Sequence, residues 1–338
     1  MKKGHSPVLA CVGAVVGAGF ASGREVVVFF TQYGSHAWWL IILAALIMTG
    51  LCMLCMSAAQ KQGCCENWDG LMQGRWFAQW CSILLMVLTS GAMISASGHM
   101  VALLWAHPCA YAVGALGTLL AAWWIGFCSM KPLNLISAAL TLALLCALMT
   151  VLVQTPPDSV AFTRGISGSV LAGAVIRAVG YAAMNVMLAV GIICRSAEHT
   201  QSMPVASALF GWLIGVLLLI AQCAYARHPE THQMAFPMVQ LLSRHGRSGY
   251  LFSIVLLYLS VITTLTSVLY SLRTAVETHI CRNDLRCLLV LGAPLAVSGL
   301  GFSDIVDRLY APAGLICLAV FFIPLLLREG KRWFASFS

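Results

Sequence analysis

The chain has 338 residues, of which 60% are hydrophobic and 9% are charged. Soluble domains carry about 25% charged residues, so a soluble fold of this length could not bury so many apolar side chains. The formal net charge of +8 indicates membrane orientation rather than nucleic-acid binding, because the basic residues lie mostly in short loops between apolar runs. These three properties indicate an integral membrane protein, whose apolar side chains face the lipid bilayer.

The apolar runs predict an all-α polytopic membrane protein with ten transmembrane helices, each with the roughly 20 apolar residues that a span needs. The run at the N-terminus has no clear cleavage site, so we interpret it as a retained first span. With both termini in the cytoplasm, most Lys and Arg residues fall in cytoplasmic loops. The predicted spans are 7–33, 37–59, 77–105, 109–129, 132–153, 168–194, 203–226, 249–273, 285–301 and 305–327.

Ten spans divide into two halves of five, residues 1–155 and 156–338. An odd number of spans per half inverts the second half relative to the first. Inverted repeats of this kind are common in secondary transporters, whose binding site lies at the midplane between broken helices. The plan predicts a 5+5 inverted repeat in a single membrane domain, with breaks in spans 1 and 6.

Span 1 reads GAVVGAGFASGREVVVFF from residue 13, and Arg24 and Glu25 follow its four glycines at once. Each glycine costs about 1 kcal/mol relative to alanine in a helix interior. Close helix packing would explain the glycines but not the charges, which are costly within a span and usually functional. We expect a break here, with freed amides that bind an anionic group of a solute. The predicted solute-binding residues are Gly17, Ala18, Gly19, Phe20, Ser22 and Gly23.

Span 6 carries Gly180, Tyr181 and Asn185 near its middle, with Arg177 one turn earlier. Tyr181 and Asn185 would share one face of a continuous helix. We expect a break at this point and expect both side chains to complete the solute pocket. The alternative is a polar patch that bonds to a neighbouring helix.

Span 8 places the hydroxyls of Ser260, Thr263, Thr264 and Ser267 at mid-membrane depth. Hydroxyl and carbonyl oxygens are ligands that a small hard cation accepts. The alternative is that these hydroxyls bond to carbonyls of their own helix, which is common in membrane helices.

The 5+5 layout and the segment VGAVVGAGFASGREVVVFFTQYG at 12–34 resemble the YkvI-like family, within the amino acid–polyamine–organocation transporters. GYAAMN at 180–185 and GFSDIVDRLYAPAG at 301–314 support this resemblance. It implies the leucine-transporter fold, with the solute between unwound parts of spans 1 and 6. In sodium-coupled members, carbonyls of span 1 and hydroxyls of span 8 bind a sodium ion. Carried onto this chain, the resemblance implies sodium ligands at Gly13, Val16, Ser260, Thr263 and Thr264.

These features predict a secondary active transporter of a small amino-acid-like solute, and no enzyme. Sodium is the expected coupling ion, no other cofactor is expected, and no nucleic acid is a partner. Glu25 is the rival proton carrier, or else the permanent ion partner of Arg24 or Arg177. The second function is a membrane ligand sensor with the same fold, as in spore germinant receptors. The predicted location is the bacterial plasma membrane.

Overall fold

The structure is a computed structural model that describes residues 7–65, 68–72, 76–128, 131–154, 168–198, 200, 202–279 and 282–335. The described chain is helical and contains no strand. Its helices are α1 (Pro7–Val15), α2 (Ala18–Ser22), α3 (Arg24–Phe29), α4 (Ala37–Gln62), α5 (Trp76–Leu104), α6 (Ala110–Cys128), α7 (Lys131–Gln154), α8 (Gly168–Glu198), α9 (Met203–Ala226), α10 (Pro237–Ser243), α11 (Gly246–His279), α12 (Asn283–Cys287), α13 (Ala293–Ser298), α14 (Phe302–Asp304), α15 (Tyr310–Cys317) and α16 (Ile323–Ala335).

The predicted spans correspond to these helices. In the described part of the chain, six helical segments are long and apolar enough to cross a membrane, and two shorter apolar segments fall on predicted spans 4 and 5. Spans 1 and 9 are assembled from short helices, α1 to α3 and α12 to α13. Large apolar side chains such as Leu120, Trp124 and Val153 point outward, as a lipid-facing surface requires. The all-α membrane fold is therefore confirmed.

The break predicted in span 6 is wrong, because α8 runs without interruption from Gly168 to Glu198. The amide of Asn185 donates to the carbonyl of Tyr181, four residues earlier (2.9 Å), and so stays on its own helix. A Cβ on Gly180 would lie 2.6 Å from the carbonyl oxygen of Ala311 in α15. Gly180 thus permits a close helix contact and does not interrupt the helix.

The contact between α8 and α15 is made on both sides by glycine. A Cβ on Gly314 of α15 would collide with the carbonyl of Gly180, just as one on Gly180 would collide with Ala311. The two backbones touch directly, which small residues allow in membrane helices. Before α15, residues Ile305–Leu309 form a single π-helical turn, a feature found often at functional sites.

Candidate solute-binding site at the broken first span

Span 1 breaks first between α1 and α2. Gly17 takes an extended conformation (φ −96°, ψ −163°), and its N–H donates to the carbonyl of Val15 (2.8 Å). The next amide, on Ala18, donates to the hydroxyl of Thr264 in α11 (3.1 Å). Because the Gly17 amide turns to Val15, it no longer closes the helical hydrogen bond to the carbonyl of Gly13. The break therefore frees the Gly13 carbonyl and brings the start of α2 against a hydroxyl of span 8.

Span 1 breaks a second time at Gly23, which lies between α2 and α3 in the left-handed region (φ +81°). The hydroxyl of Ser22 joins both sides of this break. It donates to the carbonyl of Gly19 (2.7 Å) and accepts from the N–H of Arg24 (3.1 Å). A Cβ on Gly23 would collide with the hydroxyl of Tyr225 in α9. Glycine is required here by the backbone angle and by the neighbouring ring.

The hydroxyls of span 8 differ in their partners. Ser267 donates to the carbonyl of Thr263 on its own helix (2.9 Å), and Thr263 donates to the carbonyl of Ser260 (3.0 Å). Thr264 instead accepts the Ala18 amide of span 1. A Cβ on Gly17 would lie 2.8 Å from the Thr264 hydroxyl, so this glycine makes room for that oxygen.

Of the five predicted sodium ligands, the structure thus brings Thr264 into contact with the broken segment. Ser260 and Thr263 are buried one turn or less away on the same helix. Gly13 lies in the last turns of α1. Val16 directly follows that helix and is buried, and its N–H donates to the carbonyl of Val12 (2.9 Å).

Arg24 forms a clamp with span 10 and with the chain that follows α9. Its guanidinium holds the Asp307 carboxylate through two nitrogens, with Nε 2.9 Å from Oδ1. Its Nη1 also donates to the carbonyls of His232 (2.8 Å) and Met234 (3.1 Å). The predicted pairing of Arg24 with Glu25 is therefore wrong, because the guanidinium is turned to Asp307.

Glu25 is the second residue of α3 and is 6% exposed. Its carboxylate folds over Gly19, where a Cβ would collide with Oε1. In the described chain it makes no hydrogen bond or ion pair, so the predicted pairing with Arg177 is also absent. Arg177 is half-buried in α8.

Tyr181 of span 6 faces span 1 as expected, and Asn185, one turn later, bonds to its own helix. The ring of Tyr181 packs against Phe29 (centroids 5.0 Å apart) and Phe30 (5.1 Å, edge to face). The Asn185 amide is occupied by its own helix. Phe20, from α2, is also buried, so the region around the breaks is closed.

Sequence reasoning missed Tyr225, which lies against the second break, and the buried Tyr310 of span 10. Tyr310 follows the π-helical turn, and its hydroxyl is buried with no hydrogen bond of acceptable geometry in the described chain. The signal was present in GFSDIVDRLYAPAG, whose acidic and phenolic side chains lie inside an apolar span. Pairing them with span 1 requires the fold.

No family model matches the chain. It is 22% identical to the uncharacterized membrane protein YkvI of Bacillus subtilis (strain 168), over 98% of both chains. The resemblance seen in the sequence is thereby confirmed. Among solved structures, MhsT in complex with L-phenylalanine aligns with a TM-score of 0.65 at 15% identity, covering 92% of this chain and 87% of MhsT.

A manganese transporter of Eremococcus coleocola aligns with a TM-score of 0.61 at 14% identity, covering 95% of this chain and 78% of the transporter. The chain has the leucine-transporter fold. In the leucine-transporter fold, unwound backbone at mid-membrane depth is tolerated where it borders a binding cavity. The first span of this chain is broken, and the unbroken α8 departs from the expected pair of breaks.

Proposed function

We propose that this protein is a secondary active transporter that moves a small amino-acid-like solute across the bacterial plasma membrane by alternating access. The fold is shared with a protein crystallised with L-phenylalanine and with a manganese transporter. The broken first span supplies backbone groups that can contact a polar solute inside an apolar protein. Because Gly17, Gly19 and Gly23 have no side chain, other side chains can lie against that backbone. These are Thr264 at Gly17, Glu25 at Gly19 and Tyr225 at Gly23.

One observation carries the proposal: the Thr264 hydroxyl of span 8 occupies the break in span 1, hydrogen-bonded to Ala18. The carbonyl that Gly17 no longer engages, on Gly13, and the Thr264 hydroxyl are uncharged oxygen ligands. Such groups suit a monovalent hard cation. Sodium bound there would link span 1 to span 8, and its loss on the low-sodium side would release that link. Sodium is therefore the coupling ion of the proposal, carried as a co-substrate.

The Arg24 clamp supports alternating access. It ties α3 to span 10 and to residues 232–234 at the end of the bundle that the charge pattern predicts to face outward. A solute entering from that side requires the clamp to open. Because these hydrogen bonds are charge-assisted, the closed arrangement is stabilised while the solute moves to the other side.

The test is uptake into liposomes that contain the purified full-length protein. Radiolabelled standard amino acids are supplied with an inward sodium gradient, or with an equal potassium gradient as the control. We expect concentrative uptake with sodium that stops when an ionophore dissipates the gradient. If folded protein takes up none of these solutes under either gradient, the transporter proposal fails, and saturable binding without flux would instead indicate a ligand sensor.

A further inference from the structure

A groove lies between α6 and α11 on the outer side of the helix bundle. Among the residues that line it, Ala122 and Leu269 are buried and form its floor, and the rings of Trp123 and Tyr270 stand beside them. Tyr270 is 48% exposed, so the groove opens to the surroundings of the protein and not to its core. For a membrane-spanning segment those surroundings are lipid.

Gly126 leaves this groove open. In the described chain, a Cβ on Gly126 would meet only the methyl group of Thr266 in α11, at 3.9 Å. Elsewhere on the same helix, a Cβ on Gly114 would lie 2.8 Å from the carbonyl oxygen of Ser97 in α5. Because protein interiors are close-packed, α6 meets α5 in the ordinary way and leaves a gap against α11. A flexible acyl chain can fill such a gap.

The groove reaches the membrane surface at Arg273. This residue is the last one of predicted span 8, at the end that the charge pattern predicts to face the cytoplasm. Thr266 lies seven residues earlier, about 10 Å deeper along the helix. Trp123 and Tyr270 line the groove near Arg273, and Trp and Tyr side chains are enriched at the level of lipid head groups. The groove therefore extends from the head-group level into the hydrocarbon.

The mouth of the groove is basic. The guanidinium of Arg273 lies 5.8 Å from the ring centroid of Trp123, and its Nε donates to the carboxylate of Glu277 (2.7 Å). Arg286 donates to the backbone carbonyl of Glu277 (3.4 Å), so both guanidinium groups lie at the last turns of α11. A guanidinium has five N–H donors and can hold a carboxylate and a phosphate oxygen together. Residues 273–286 include three arginines and two acidic residues, which leaves a net positive charge.

The groove is on the opposite side of α11 from the break in span 1. Thr264 bonds to Ala18 at the break, whereas Thr266 lines the groove. Two residues separated by one position point about 200° apart on a helix. A ligand in the groove therefore does not compete with a solute at the broken segment.

We propose that the groove between α6 and α11 binds one anionic phospholipid of the cytoplasmic leaflet. The phosphate lies on Arg273, and one acyl chain runs over Gly126 between Trp123 and Tyr270. Basic pockets between transmembrane helices on the cytoplasmic side are suited to lipid head groups of this charge. The apolar floor accounts for the acyl chain, and the net positive charge accounts for the preference for an anionic head group.

The test is native mass spectrometry of the purified full-length protein in detergent, which counts the lipids bound to each molecule. Phosphatidylglycerol and phosphatidylethanolamine with identical acyl chains are titrated separately, and the dissociation constant of the first bound lipid is compared. We expect phosphatidylglycerol to bind at least about fivefold more tightly, the effect of one basic residue at a membrane surface. Equal affinity for the two lipids overturns the proposal, and this comparison needs no variant.

Two variants locate the lipid. Arg273→Gln should weaken phosphatidylglycerol binding about fivefold and remove the preference over phosphatidylethanolamine, whereas Arg273→Lys should keep most of it. Arg244→Gln is the matched control, because Arg244 is also exposed and paired with a glutamate, Glu230, but precedes the opposite end of α11. If Arg244→Gln weakens binding as much as Arg273→Gln does, the attraction is not local to the groove and the proposal fails.

The acyl chain is tested by filling the groove. Gly126→Leu should weaken binding of both lipids, while Gly117→Leu should not, because Gly117 is an exposed glycine of the same helix at which a Cβ would meet nothing within 4 Å. Gly126→Ala, whose Cβ makes only an ordinary contact with Thr266, is the milder variant if leucine prevents folding. Unchanged lipid binding in folded Gly126 variants overturns the proposal. So does a lipid-free dimer that Gly126→Leu disrupts, since the groove would then be a contact between two copies of the chain.

Discussion

Replacing Gly23 by alanine should destabilise the protein more than any single methyl group would on an open helix surface. Gly23 has φ +81°, a conformation that costs an L-residue roughly 1–2 kcal/mol. The new Cβ would also collide with the hydroxyl of Tyr225 and with its ring carbons. Overpacking of this kind costs about 1–3 kcal/mol in addition.

The two contributions sum to about 2–5 kcal/mol. At about 2 °C per kcal/mol for a large chain, the unfolding midpoint should fall by about 4–10 °C. Gly173→Ala is the matched control, because a Cβ at Gly173 of α8 would meet nothing within 4 Å. Its helix propensity gain of up to about 1 kcal/mol should leave the midpoint unchanged or slightly raised.

The midpoints are measured by thermal unfolding of the purified proteins in one detergent, followed by intrinsic fluorescence. Adding Tyr225→Phe to Gly23→Ala should restore part of the loss, because it removes the atom nearest to the new Cβ. Tyr225→Phe alone loses only a weak hydrogen bond to the sulfur of Met238 (3.6 Å). Equal midpoints for Gly23→Ala and Gly173→Ala would refute the second break and the close approach of Tyr225.

Three further outcomes are expected. Thr264→Ala should abolish the sodium dependence of uptake while Thr264→Ser retains it, since only the hydroxyl is needed; sodium dependence that survives in Thr264→Ala would exclude span 8 from coupling. Asp307→Asn and Arg24→Lys should each speed hydrogen exchange in residues 229–236, because the two-pronged clamp is worth about 2 kcal/mol, and unchanged exchange would contradict it. The pKa of His228, in the connection after α9, is lowered from 6.5 by burial and then by Arg244. The unfolded chain therefore binds more protons below pH 6.5, and thermal stability should fall as the pH drops through about 6.5; His228→Gln should flatten that slope, and an equally steep slope in the variant would contradict the assignment.

The spans could be predicted from the sequence because they depend on local apolar runs. The prediction of 203–226 coincides with α9, and those of spans 3 to 5 agree with α5 to α7 within one residue at each end. The break in span 1 was predictable too, because glycines and charges adjoin there. The continuity of span 6 was not predictable, since glycine serves both to break helices and to bring them together, and Gly180 does the second.

Long-range pairs of side chains could not be predicted. Arg24 and Asp307 are 283 positions apart, and the sequence placed Glu25 beside Arg24 as an equally good partner. Only the arrangement of α3 against the start of span 10 decides between them. The same holds for Thr264, whose neighbours on α11 bond to their own helix while it bonds to span 1.

The glycine contact between α8 and α15 has a mechanical consequence. No layer of side chains separates Gly180 from Ala311 and Gly314, so the two helices cannot slide or tilt past each other by exchanging rotamers. We therefore expect the two helices to move as one rigid unit. Tyr181 lies within α8, and Asp307 lies just before the start of α15. Under the proposed alternating access, a tilt that moved Tyr181 away from Phe29 and Phe30 would also pull on the Arg24 clamp. Uncovering the broken segment and opening the clamp would then be a single event.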